Sequence, residues 1–131
     1  MRLSLAYSPC PNDTYIFHAL ATGLVSARDT HGLGDLSFDI ALADIEALNG
    51  LAASASVDVA KVSYAAYGLL AKEYVVLRSG GALGHGVGPL VVSRSPDLDL
   101  AGARVAIPGG RTTASLLLRL MRTDVELVEM R

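Results

Sequence analysis

The feature that most constrains this chain is a unit that occurs three times before residue 75: an alternating strand, a polar turn and an apolar helix. Leu3, Leu5 and Tyr7 alternate with polar or small residues, which is typical of a strand, and Pro9 then interrupts the pattern. The repeats predict strands at 2–7, 36–43 and 57–62, and helices at 14–24, 45–55 and 64–74. The predicted helix caps are Asn12 or Asp13, Asp44 and Ser63. This repeat predicts an α/β fold with a mainly parallel sheet.

The second part of the chain starts with five glycines among residues 80–88, which excludes regular structure there. Around it the pattern predicts strands at 74–78, 89–94, 104–109 and 125–130, and a helix at 112–122. We therefore predict a first α/β lobe over 1–80, followed by a crossing segment and an incomplete second α/β lobe over 81–131. The second part is too short to bury a sheet on both faces.

Composition excludes several classes of protein. Hydrophobic residues make up 51% of the chain and charged residues 18%, so a disordered chain is excluded, and a net charge of −2 without basic clusters argues against nucleic acid or membrane partners. The single cysteine, Cys10, cannot form an internal disulfide, and no Cys/His pair has metal-ligand spacing, so neither a disulfide framework nor a metal site is expected. The N-terminus lacks the apolar run of a secretory signal, which predicts a cytoplasmic protein.

Three polar helix starts are candidates for a ligand site, at residues 8–14, 61–66 and 107–115. In open parallel sheets, ligands bind where the strands end and the helices begin, because helix N-termini offer unpaired N–H groups. The hydroxyl and amide side chains there are suited to a carboxylate, a phosphate or a sugar hydroxyl. Each start taken singly is explained by N-capping alone, and three of them in one short chain favour a ligand.

Single residues carry less information. Those considered for chemistry are Cys10, His18, His31, His85 and the pair Asp44 and Glu46. Cys10 has no base in its sequence neighbourhood, and the two carboxylates lie at i and i+2, where helical side chains diverge. His85 lies among glycines, which allow the backbone to approach a ligand but equally form a hinge. The glycines lack the order of a phosphate-binding loop.

Five segments together resemble the family of 1,4-dihydroxy-6-naphthoate synthases. They are SPCPNDTYIFHAL (8–20), DIEALN (44–49), KVSYAAYGLL (61–70), LRSGGALGHGVGPLVV (77–92) and IPGGRTTASLLLRL (107–120). The resemblance implies two lobes like those of a type II periplasmic binding protein, and cofactor-free conversion of cyclic dehypoxanthine futalosine to 1,4-dihydroxy-6-naphthoate in menaquinone biosynthesis. The substrate-binding residues that it implies are Lys61, Val62, Ser63, Thr112, Thr113, Ala114 and Asn12.

The resemblance also implies a chain about twice as long, whose general-base histidine follows the position of Arg131. We therefore expect this chain to correspond to the N-terminal half of such a carbon–carbon lyase and to be inactive alone. Two alternatives remain open at this point: a non-catalytic solute-binding module, and a relative that resembles chorismate dehydratase. The oligomeric state is not predicted.

Overall fold

The computed structural model describes residues 1–24, 27–28 and 35–130, with the backbone only at 27–28. The elements in chain order are β1 (Arg2–Tyr7), α1 (Pro11–Ala21), β2 (Ala27–Arg28), β3 (Asp35–Leu42), α2 (Ile45–Ala53), β4 (Val59–Ala60), α3 (Tyr64–Leu70), β5 (Arg104–Ile107), α4 (Thr113–Met121) and β6 (Glu126–Glu129). His31, one of the residues named above, lies outside the described residues.

Two sheets form from these strands. The first has the order β2-β3-β1-β4, in which β1 pairs in parallel with both β3 and β4, and only β2 is antiparallel. The second consists of β5 and β6, also parallel. Parallel neighbours require a crossover connection, which the intervening helices provide. The predicted α/β class and the mainly parallel sheet are confirmed.

The core lies on both faces of the first sheet. Ala6 packs with Leu48 of α2, whereas the next residue, Tyr7, stacks on Phe17 of α1 with ring centroids 4.6 Å apart. Successive residues of a strand point to opposite faces, so α1 and α2 cover opposite faces of the sheet. A second buried cluster joins α2 to α3 through Ala52, Ala66 and Leu70. Within the described ranges, no helix is long and apolar enough to cross a membrane.

The strands predicted at 74–78 and 89–94 are wrong, because neither segment forms a strand in the structure. Every residue from 75 to 99 is exposed, although many of them are valine or leucine. A strand needs the N–H and C=O groups of a neighbouring chain, and the described part of the molecule places none beside these segments. The glycine segment is irregular as predicted, with φ of +82° at Gly80 and +67° at Gly86.

The helix starts agree only in part with the predicted caps. Asp44 caps α2 as predicted, since its Oδ1 accepts from the backbone N–H groups of Glu46 and Ala47 at 3.0 and 2.9 Å. Helix α1, however, begins at Pro11, which needs no N–H partner at a helix start. Asn12 and Asp13 therefore lie inside its first turn rather than capping it. Ser63 precedes α3 as predicted, but its side chain makes no capping bond.

Candidate ligand-binding site

Four helices start where parallel strands end. Tyr7 at the end of β1 is paired with Leu42 at the end of β3, and Lys61, directly after β4, donates its backbone N–H to the Ala6 carbonyl at 2.9 Å. The starts of α1, α2 and α3 consequently lie along one edge of the first sheet. Helix α4 starts in the same way after β5 of the second sheet. Helix N-termini carry partial positive charge, so an edge lined by them favours an anionic ligand.

A buried carboxylate, that of Asp13, connects the start of α1 with the ends of β1 and β4. Asp13, whose side chain is 8% exposed, lies 3.2 Å from the Lys61 ammonium, measured from Oδ2 to Nζ. The same oxygen accepts from the backbone N–H of Ser8 at 3.2 Å and from its hydroxyl at 2.5 Å. The Ser8 hydroxyl also lies 2.7 Å from the Cys10 thiol sulfur, which is exposed. A buried charge is stable only when it is paired and hydrogen-bonded, and Asp13 meets both conditions.

A buried amide, that of Asn49, connects α2 with the start of α3. Asn49 of α2 is fully buried, and its Oδ1 accepts from the backbone N–H of Ser63 at 3.0 Å. Its Nδ2 donates to the Ser63 hydroxyl oxygen at 3.3 Å. Because the Ser63 oxygen is the acceptor in that bond, its own hydrogen points elsewhere. Ser63 is therefore held as a donor at the start of α3.

The start of α4 meets the start of α3. The Thr113 hydroxyl oxygen accepts from the backbone N–H of Ala65 at 3.3 Å, across 48 residues of sequence. Thr112, by contrast, is buried and its hydroxyl is used locally: it donates to the Gly109 carbonyl at 2.8 Å and accepts from the Ser115 N–H at 3.3 Å. The Ser115 hydroxyl is itself fully buried with no partner among the described residues.

An ion pair holds the turn before α4 against α2. Glu46 Oε1 lies 3.2 Å from the Arg111 guanidinium, and Glu46 Oε2 accepts from the Arg111 backbone N–H at the same distance. Gly109 lies directly against this carboxylate with φ of +152°, so a Cβ atom there would stand 2.2 Å from Glu46 Oε2. Glycine suits this turn, because a Cβ atom would force the Glu46 side chain to shift and because other residues rarely adopt this φ angle.

The resolved pKa shifts belong to surface groups away from these helix starts. The pKa of Asp58 lies below its ordinary value of 3.8, chiefly because the Ser4 backbone N–H donates to its carboxylate at 2.8 Å and then because the Ser4 hydroxyl donates at 2.7 Å. The pKa of Asp124 is lowered mainly by hydrogen bonds from the Arg122 guanidinium. Asp58 and Asp124 are exposed and lie away from the helix starts, so their shifts bear on stability rather than on the candidate site.

An apolar cavity of about 870 Å³ lies on the α1 face of the first sheet. Its lining includes Leu5 of β1, Phe17 of α1 and most of the segment 74–80 that follows α3. It has few polar groups, so it lacks the convergent donors that fix a charged ligand. Among the described residues there is also no group of three or more His, Cys, Asp or Glu side chains that could hold a metal ion.

The predicted site residues divide into those at the converging helix starts and those elsewhere. Lys61, Ser63 and Thr113 have polar groups in the contacts described above, whereas Val62 lines the apolar cavity and Asn12 is exposed in the first turn of α1. Ala114 follows Thr113 and is half-buried in the first turn of α4.

Neither of the two described histidines belongs to these contacts. His18 is exposed in the last turn of α1, about 10 Å along the axis from the helix start, and His85 lies in the exposed glycine segment. The sequence pattern does not indicate the ionic role of Asp13 or the contact that Asn49 makes with Ser63. Asn49 did carry a signal, since it is an amide beside Leu48 on the apolar side of a short helix.

Comparisons with known proteins extend over almost the whole chain. The sequence model of a family described as menaquinone biosynthesis matches residues 3–131. Two curated proteins, both named 1,4-dihydroxy-6-naphthoate synthase, are similar to this chain. The one from Thermus thermophilus is 48% identical over 98% of this chain and 45% of its own length. The one from Streptomyces coelicolor is 47% identical over 93% of this chain and 41% of its own length.

A crystal structure of a protein from Archaeoglobus fulgidus matches the fold with a TM-score of 0.87. It is 40% identical in sequence, and the match covers 98% of this chain and 46% of the crystallised one. This chain thus spans about half the length of the relatives it matches, and among the curated proteins it corresponds to their N-terminal part.

Proposed function

We propose that this chain, which belongs to the menaquinone biosynthesis family, forms the N-terminal part of a 1,4-dihydroxy-6-naphthoate synthase. Identity of 47–48% to two proteins of that name over nearly the whole chain supports the proposal. By resemblance the substrate is cyclic dehypoxanthine futalosine, and the reaction is a carbon–carbon cleavage that begins with proton removal. The enzyme would act in the cytoplasm without a cofactor.

The ligand would bind beside the point where the starts of α3 and α4 meet. The single observation that carries this placement is the bond from the Ala65 N–H to the Thr113 hydroxyl, which brings the two helix starts into contact. The Lys61 ammonium and the Ser63 hydroxyl then supply donors from one side. Thr113 and the Ala114 backbone lie on the other side, preceded by Thr112. Donors alone suit a carboxylate or a hydroxyl of the ligand rather than a cation.

The lobes proposed from the sequence agree with this arrangement. Residues 1–80 would form one lobe of the type II periplasmic-binding class, and residues 81–131 a crossing and the opening of a second lobe. In support, the two sheets are built from separate parts of the chain, before residue 61 and after residue 103, with the exposed segment 75–99 between them. A cleft between two lobes is a common location for small-molecule sites.

Proton removal needs a base within hydrogen-bond reach of the substrate, and histidine is the usual residue near neutral pH. By resemblance the family's base lies after the position of Arg131. His18 and His85 are the described histidines, and neither takes part in the contacts at the converging helix starts. We therefore expect this chain alone to bind ligand but to turn over little or no substrate.

The test is to give the purified 131-residue chain cyclic dehypoxanthine futalosine and to follow formation of the dihydroxynaphthoate, with His85→Ala in parallel. Calorimetry with 1,4-dihydroxy-6-naphthoate then measures binding, with chorismate as the competitor. Binding without turnover is the expected result. Turnover that is lost in His85→Ala would make His85 the base, and preferential binding of chorismate would contradict the proposed substrate.

A further inference from the structure

We infer that Asp13 is a positioning residue, which holds the Lys61 ammonium at the strand edge for an anionic group of the ligand. The inference rests on the proposed function for the identity of the ligand, and on the geometry around Asp13 for the rest. Asp13 would not touch the ligand itself. Nothing in the family description or in the names of the relatives assigns it a role.

The Asp13 carboxylate is held in place by several contacts. Asp13 Oδ2 receives three contacts, from the Lys61 ammonium and from the backbone N–H and hydroxyl of Ser8. Ser8 is itself buried and follows directly after β1, so the carboxylate is fixed to the end of the central strand. A nearly buried carboxylate held by two bonds from one residue has little freedom to move.

Lys61 has a fixed backbone, but its side chain is long and flexible. Its backbone is fixed by the bond to the Ala6 carbonyl, but its side chain has four rotatable carbon–carbon bonds and is 34% exposed. A flexible ammonium loses much rotamer freedom when it binds a ligand. The contact with Asp13 removes that freedom in advance, so less is lost on binding.

The Lys61 ammonium keeps N–H donors that a ligand can use. A lysine ammonium has three N–H donors, and the contact with Asp13 occupies one of them. The partly exposed position leaves the other two facing away from the buried carboxylate. Ser63, two residues further on, presents a hydroxyl hydrogen because Asn49 donates to its oxygen. Residues 61 and 63 thus both offer hydrogen-bond donors, which suit an anionic acceptor such as a carboxylate.

The binding test compares Asp13→Asn with Asp58→Asn. The control is matched in chemistry, since Asp58 also accepts from the backbone N–H and hydroxyl of one serine, Ser4, but it precedes β4 at the opposite edge. Affinity for 1,4-dihydroxy-6-naphthoate is measured by calorimetry. We expect Asp13→Asn to weaken it about 10- to 100-fold, as loss of a charge-assisted contact implies, and Asp58→Asn to change it less than about twofold.

Coupling separates positioning from general stability. In a Lys61→Gln background, Asp13→Asn should cause no further loss of affinity, because its effect passes through the ammonium. An equal loss in both backgrounds would overturn the inference. Binding of 1,4-dihydroxynaphthalene, which lacks the carboxylate, should be insensitive to Asp13→Asn, and equal sensitivity would overturn the assignment of an anionic group.

A measurement without ligand keeps the inference independent of the proposed function. With ¹⁵N-labelled protein, the Lys61 ammonium should give a slowly exchanging NMR signal in the wild type and in Asp58→Asn, and a rapidly exchanging one in Asp13→Asn. If the naphthoate does not bind to the wild type, the proposed function fails while this signal still decides the role of Asp13. An unchanged Lys61 signal in Asp13→Asn would overturn that role.

Discussion

Replacing Gly109 with alanine should destabilise the turn that leads into α4 more than any ordinary glycine substitution. The φ angle at Gly109 is +152°, which side chains rarely adopt. An added Cβ would lie 2.2 Å from Glu46 Oε2 and 2.6 Å from Glu46 Cδ and Cγ. Since real Cβ atoms do not approach other atoms so closely, the Glu46 side chain must shift, which disturbs its contacts with Arg111.

The magnitude follows from the contacts that would be lost. Backbone strain at a sparsely populated φ costs about 1 to 3 kcal/mol. Losing the bond from the Arg111 backbone N–H to a charged carboxylate costs about 1.5 to 3 kcal/mol. The guanidinium is 50% exposed, so its ion pair with Glu46 adds less than about 1 kcal/mol after solvent screening. These contributions are upper limits, because the flexible Glu46 side chain keeps part of its contacts after it shifts, so we expect Gly109→Ala to lower the free energy of unfolding by about 2 to 5 kcal/mol.

Urea unfolding followed by circular dichroism measures this loss. Gly50→Ala is the matched control: Gly50 lies in α2, nothing stands within 4 Å of an added Cβ, and alanine should raise the stability by about 0.5 to 1 kcal/mol. In a Glu46→Ala background the collision disappears, so Gly109→Ala should cost at least about 1 kcal/mol less there. An equal cost with and without Glu46 would refute the steric argument.

Three further predictions concern other side-chain contacts. Ser63→Val and Thr113→Val should each weaken binding of 1,4-dihydroxy-6-naphthoate by about 10- to 100-fold in calorimetry, and unchanged affinity in both would reject the site. Asn49→Leu leaves the Ser63 N–H and hydroxyl without their partner, so the free energy of unfolding should fall by about 2 to 4 kcal/mol in urea titrations. The Asp58 pKa is lowered by folding, so its stabilisation is present above the unfolded pKa and is lost as pH falls through the folded one. Between about pH 5 and pH 3 the wild type should therefore lose stability more steeply than Asp58→Asn, and parallel slopes would contradict this reading.

Local rules predicted the elements whose cause is local. The alternation in residues 2–7 became β1 with the same bounds, and Asp44 caps α2 because its carboxylate reaches N–H groups two and three residues ahead. The N-cap predicted for α1 is wrong, although it too was expected from the local sequence. Pro11 is tolerated only at the beginning of a helix, so it moves the start of α1 ahead of the predicted cap at Asn12 or Asp13.

Strand prediction failed where the cause is a distant partner. Segments 74–78 and 89–94 have the β-branched and apolar residues of strands, yet neither pairs with a strand within the part of the chain that the structure describes, and residues 75–78 and 89–94 are exposed. Segment 104–107 has no stronger propensity, but it pairs in register with 126–129 and is a strand. Propensity alone therefore marks a segment that accepts a strand pairing, and the neighbour decides whether the strand forms.

The candidate site shows the same division between local and distant causes. Polar residues at helix starts are visible in the sequence, and Lys61, Ser63 and Thr113 were named from them and from the family resemblance. The residues that fix them are not visible in the same way: Asp13 reaches Lys61 across 48 positions, and Asn49 reaches Ser63 across 14. Both supporting contacts are possible only because β1, β3 and β4 end at one edge of the sheet, which follows from strand register rather than from any motif. A sequence therefore indicates the candidate ligand-binding side chains more readily than the residues that hold those side chains in position.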